Sequence, residues 1–167
     1  KAIRRQRQMC IRDRQNIEEI LPCLFDILYS NMSTIAPTGN TYENDLEEWL
    51  SNIIPAMQKE PRQIVLMFVD NKLIGYFQYY IFSDSLMMEE IQIRKDYQGT
   101  GLFHLFYSWL IKKLPKNIKY VEAYSNKSNH KSQGILEYLG LIKSGENKNG
   151  NFFYYKGDYA ILLQKYS

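Results

Sequence analysis

Two adjacent carboxylates and a glycine turn stand close together in this chain. Met88-Glu89-Glu90-Ile91-Gln92-Ile93 alternates as a strand does, and Gln98-Gly99-Thr100-Gly101-Leu102 opens directly into an apolar stretch. A carboxylate at the end of a strand can take a proton from an amine. A free lysine-like amine has a pKa of about 10.4, so near neutral pH it becomes a nucleophile only where a base is positioned for it. Successive strand residues face opposite sides, so only one of Glu89 and Glu90 can face a given cleft unless a bulge intervenes. The glycines do different work. They let successive backbone N–H groups converge without Cβ obstruction, and a helix that follows adds its positive end at the same point, which together make a place for a phosphate.

The helix needed to complete that junction is written in Leu102, Leu105, Phe106, Trp109 and Leu110, which recur at helical spacing, with Lys112, Lys113 and then Pro115 marking its end. The turn is not a P-loop, because no Gly-Lys-Ser/Thr follows. It is not the dinucleotide Gly-x-Gly-x-x-Gly fingerprint either, because His104 and Leu105 occupy the stretch where the third glycine would fall.

The stretch Ile93-Arg-Lys95-Asp-Tyr97-Gln98-Gly99-Thr100-Gly101-Leu102-Phe103 resembles the core signature of the GNAT superfamily of acyl-CoA-dependent N-acetyltransferases, Val-x-Pro-x-Tyr-Gln/Arg-Gly-x-Gly-x-Gly/Ala. Two further matches follow in the family's order. Met88 to Ile93 resembles its fourth strand, with an acidic residue four places before the Val position, and Asn129 to Leu141 resembles its Asn-x-x-Ala/Ser helix ending in Leu-Gly-Phe. The resemblance covers about residues 16–167 and implies a mixed α/β fold with a central, mostly antiparallel sheet flanked by helices. It also implies acetyl-CoA as acyl donor, no metal, and a small-molecule or peptide amine as acceptor.

Site residues follow from the same resemblance. Glu89 takes the family's acidic position and is expected to be the general base, with Glu90 its neighbour and competitor. Backbone at Ile91 and Ile93, the turn Gln98, Gly99, Thr100, Gly101, Leu102 and Phe103, and then Asn129 and Ser132 are expected to hold the donor, with the N–H near Ile91 stabilising the oxyanion. Three departures stand out. Leu136 occupies the place where many relatives carry a tyrosine that protonates the leaving thiolate; Tyr138, about 200° further round the helix, cannot replace it, so either Tyr124 on the neighbouring strand substitutes or the thiolate leaves unassisted or takes a proton from water. Phe103 stands where Gly or Ala is preferred, and Lys95 replaces the usual Pro. Asn129 and Ser132 can equally serve as helix caps. His104 and His130 lack the spacing of a metal site or a triad.

The elements that must position these residues read as follows. Asn16 to Tyr29 is a helix with Pro22 near its start, and Thr41 caps a second from Tyr42 through Met57. Gln63–Val69 and Leu73–Phe82 are strands joined at Asp70-Asn71, and Leu86–Arg94 is the next. Tyr120–Asn126 is a strand, Asn129–Leu139 a helix, Asn149-Gly150 the turn of a last hairpin, and Asp158 the cap of a terminal helix. Residues 15–167 are read as one domain. Residues 1–14 are strongly basic and begin without Met. They are either a first strand with charged flanks or a non-native segment resembling translated sequencing-adapter read-through.

Composition excludes more than it selects. With 167 residues, 45% hydrophobic and 23% charged, the chain can bury a full core. A net charge of +3 is too small to argue for nucleic acid, whose binding calls for basic residues clustered on one face. The fourteen tyrosines leave a basic tyrosine-rich RNA-binding module as a distant alternative, after a non-catalytic CoA-binding relative. No apolar run approaches the roughly 18 residues of a membrane span, and Cys10 and Cys23 lack metal or redox spacing, so a reduced, cytoplasmic monomer or homodimer is expected.

Overall fold

In a computed structural model of the chain, the described residues are the backbone of 8–11 together with residues 18–59 and 62–167. They form β1 (Gln8–Ile11), α1 (Leu21–Met32), α2 (Tyr42–Lys59), β2 (Gln63–Val69), β3 (Lys72–Phe82), β4 (Ser85–Ile93), a 3-10 turn over Lys95–Tyr97, α3 (Leu102–Leu110), β5 (Tyr120–Asn126), α4 (His130–Tyr138), β6 (Ile142–Glu146), β7 (Phe152–Asp158) and α5 (Tyr159–Tyr166). Pairing is mostly antiparallel, and the class is mixed α/β as expected. Two compact units emerge: residues up to Gln78 with Glu90–Gln98, and Tyr79–Glu89 with Gly99–Ser167. The strands β3 and β4 run through both.

In the first unit the strand order is β1-β2-β3-β4. The hairpin between β2 and β3 turns at Asp70 (φ 50°) and Asn71 (φ 63°), both in the left-handed region that a two-residue turn matching strand twist requires. Leu21, Leu24 and Ile27 of α1, Ile53 and Met57 of α2, and Ile64, Leu66 and Tyr76 of the strands make its core. Thr41 does cap α2, its Oγ1 accepting from the Asn44 N–H at 3.2 Å. The first helix starts at Leu21, with Pro22 in its opening turn where a missing N–H costs nothing. The expected start at Asn16, like most of residues 1–14, lies outside the described residues.

In the second unit the order continues β3-β4-β5-β7-β6. Here β4 and β5 are parallel, from Ser85↔Tyr120 to Met88↔Ala123, while β5 and β7 are antiparallel from Tyr120↔Asp158 to Asn126↔Phe152. Burial alternates along β5: Val121, Ala123 and Ser125 are buried, whereas Tyr120 and Tyr124 are exposed. Phe106, Tyr107 and Leu110 of α3 and Tyr159, Leu162 and Tyr166 of α5 are buried, and the Tyr107 and Tyr166 rings stack at 5.1 Å. Asp158 precedes α5 as expected, yet its side chain makes no capping bond, because its backbone is still paired in β7. The α3 helix ends at Leu110, five residues before the proline read as its stop.

Candidate active site

The parallel ladder between β4 and β5 ends at Met88↔Ala123, although β5 continues to Asn126. Glu89 and Tyr124 are the next residues on the two strands, so each stands just past the last paired position. Beyond such an end, strand N–H and C=O groups are open to an extended ligand that can pair as a strand would. Glu89 is half-buried with its Oε1 enclosed. Tyr124 is 46% exposed, and its ring lies 5.2 Å from that of Tyr154.

The glycine turn belongs to the same unit. Gly99 (φ 73°) and Gly101 (φ 81°) are both left-handed, and a Cβ built at either would meet nothing within 4 Å. Gly101 is the N-cap of α3, and no side chain caps that helix. A nine-residue helix that begins without a side-chain cap, beside two glycines with open space around them, fits a diphosphate at its positive end. Phe103 does not obstruct the turn by lying across it: its ring stacks along the helix on Tyr107 at 6.3 Å and 17°. The Tyr107 hydroxyl in turn reaches Met88 Sδ at 3.8 Å, tying α3 to β4 just before Glu89.

Gln98, the last residue of the first unit, is held within it. Its Nε2 donates to the Ile93 carbonyl at 2.9 Å and its N–H to the Lys95 carbonyl at 3.2 Å. The Ile93 carbonyl also accepts from Asn31 Nδ2 at 2.9 Å. Glu90 belongs to a network that sequence reading did not find: Gln92 Nε2 donates to its Oε1 at 2.5 Å, and Gln92 Oε1 accepts from Asn31 Nδ2 at 2.9 Å. Glu90 thus has a fixed structural partner two residues along its own strand. Ile91 is half-buried and Ile93 buried.

Asn129 caps α4, its Oδ1 accepting from the Ser132 N–H at 3.1 Å, so the capping role expected of Asn129 is present, whereas Ser132 takes part through its backbone and is not itself the cap. Leu136 is 7% exposed and packs in the core, while Tyr138 is 66% exposed with Lys165 Nζ 4.0 Å over its ring. The tyrosine two residues along the helix does point elsewhere. On the buried face of the same sheet, Ser125 Oγ and the Tyr155 hydroxyl make no hydrogen bond to any described residue, and neither was singled out from the sequence.

A family profile described as Acetyltransferase (GNAT) family matches residues 22–141. No curated protein matches the sequence. Among solved structures, an acetyltransferase from Thermus thermophilus is similar with a TM-score of 0.68 at 16% identity, over 90% of this chain and 97% of that one. The paia N-acetyltransferase from Thermoplasma acidophilum, in complex with coenzyme A, gives 0.64 at 17% over 91% and 99%. A variant of the SpeG spermidine N-acetyltransferase from Vibrio cholerae gives 0.62 at 13% over 95% and 96%. At these identities the likeness is one of fold.

Proposed function

The chain belongs to the acetyltransferase (GNAT) family, and from that premise we propose that it transfers an acetyl group from acetyl-CoA to an amine, with Glu89 as general base. The observation that carries this reading is the end of the β4–β5 ladder at Met88↔Ala123, in the same unit as an uncapped, glycine-opened α3. The α3 N–H groups would hold the donor's diphosphate. Open backbone past the ladder's end would pair with its amide arm. The donor supplies an activated thioester; the protein supplies position and charge.

Glu89, half-enclosed at the ladder's end, would take the proton that the amine loses on attack. Leu136 offers no proton to the departing thiolate. A thiol of pKa near 8.5 still leaves at a useful rate, and Tyr124, exposed at the same level as Glu89, is the hydroxyl that would assist. The Asn129 side chain already serves α4 as its cap, which leaves the Ser132 hydroxyl as the side-chain group of the pair that would approach the donor.

Two measurements test the proposal. Gly101→Glu would set a carboxylate at the uncapped start of α3, so calorimetric CoA affinity should fall at least tenfold while the fold survives; unchanged affinity in the folded variant would sink the donor site. Thiol release from acetyl-CoA should be stimulated by at least one member of a panel of primary amines. CoA binding without such stimulation would favour a non-catalytic CoA-binding relative, the reading that the buried Leu136 favours.

A further inference from the structure

Glu122 lies in the middle strand of three, with β4 on one side and β7 on the other, a place where a carboxylate is costly unless its oxygens are satisfied. Two hydroxyls satisfy them in part: Ser85 Oγ of β4 and Tyr154 OH of β7 both donate to the Glu122 carboxylate. Burial, then the Glu122 bond, raises the Tyr154 pKa above its ordinary range, so the donor stays protonated. An ionised carboxylate can accept about four hydrogen bonds, and these are two. No cation among the described residues is within ion-pair distance of it. Its cross-strand neighbour Lys156 instead places Nζ 4.5 Å over the Tyr120 ring.

The face that carries Glu122 also carries Tyr124, two residues on, with its ring against Tyr154. A carboxylate held by the hydroxyl of one tyrosine whose ring neighbours a second, half-exposed one is chemistry that receives an alkylammonium group. Glu89 lies one strand away and about two residues further along, a displacement of roughly 7 Å along the strand.

We propose that Glu122, with the Tyr124 and Tyr154 rings, is a second cation subsite that selects acceptors bearing an ammonium group a short aliphatic chain away from the reacting amine. The inference rests on the acetyltransferase reading for the identity of the ligand as acceptor. Its test does not depend on turnover.

Calorimetric titration of 1,4-diaminobutane and of 1-aminobutane into the full chain saturated with CoA measures the subsite. The diamine should bind at least tenfold more tightly than the monoamine, and Glu122→Gln should reduce that preference to less than threefold. Tyr124→Leu, at an exposed position, should lower it by about two- to fivefold, and it decides the matter if Glu122→Gln does not fold. Equal binding of the two amines by the wild type, or an undiminished preference in either folded variant, overturns the proposal. A diamine preference in a protein that transfers no acetyl group would keep the subsite and remove the transferase reading instead.

Discussion

Glu89 and Glu90 look equivalent in the sequence and differ in what surrounds them. Glu90 accepts a hydrogen bond from Gln92, which is itself held by Asn31, whereas Glu89 stands at the end of the β4–β5 ladder. Glu89→Gln is therefore expected to lower kcat by on the order of 10²–10⁴ with CoA affinity little changed, while Glu90→Gln should keep activity within a few-fold. Steady-state kinetics with an amine found by the thiol-release panel reads both, and a larger loss in Glu90→Gln would exchange their roles. The buried Leu136 carries an expectation of its own. A tyrosine there adds volume and a hydroxyl to a filled site, so Leu136→Tyr should destabilise by about 1–3 kcal/mol in urea unfolding, and unaltered stability would mean that the site is roomier than its burial implies. At this scale the sequence was legible where partners are near in the chain: Asn129 caps α4 through the N–H of Ser132, three residues on, and a capping role was expected of it. It was not legible for Glu122, whose partners Ser85 and Tyr154 are 37 and 32 residues away.

Elements were read most accurately where local chemistry decides them. Asp70-Asn71 turns a hairpin because both residues tolerate positive φ, and Tyr120–Asn126 is a strand over the residues expected, bounded by an alternating pattern. The ends of pairing were not readable, because the point where β4 leaves β5 depends on which residues meet across the sheet and not on either strand alone. Neither was close backbone approach. A Cβ on Gly157 of β7 would lie 2.6 Å from the Gly140 carbonyl oxygen and 3.0 Å from Leu141 Cα, whereas one on Gly145 of β6 would meet only Tyr154 Cδ1 at 3.9 Å. Gly157→Ala must therefore push the segment after α4 off the sheet edge and should cost about 1–3 kcal/mol. Gly145→Ala should stay within about 0.5 kcal/mol of wild type. Chemical denaturation of the pair measures the difference, and equal midpoints would show that the Gly140–Leu141 segment yields freely.

Over the whole molecule tyrosine is the commonest aromatic residue, fourteen in all. Tyr76, Tyr79, Tyr107, Tyr155, Tyr159 and Tyr166 are buried, and burial is the leading cause that raises each of their pKa values. Tyr42 is raised to about 12, chiefly by its hydrogen bond to Asp26. In the unfolded chain every tyrosine ionises near pH 10. A group whose folded pKa is raised contributes stability that is fully present below its unfolded value and is lost as pH rises toward the folded one. Between those limits the unfolded state binds fewer protons than the native state, so stability falls by about 1.4 kcal/mol per pH unit for each such tyrosine. Six buried phenols with raised pKa values therefore make stability fall progressively as pH rises above 10. Tyrosinate absorbance should therefore rise in two stages, a graded one for the exposed rings and a cooperative one that coincides with loss of helical circular dichroism. Fourteen tyrosines titrating smoothly around pH 10, with the dichroism intact, would contradict the burial that the fold assigns to them.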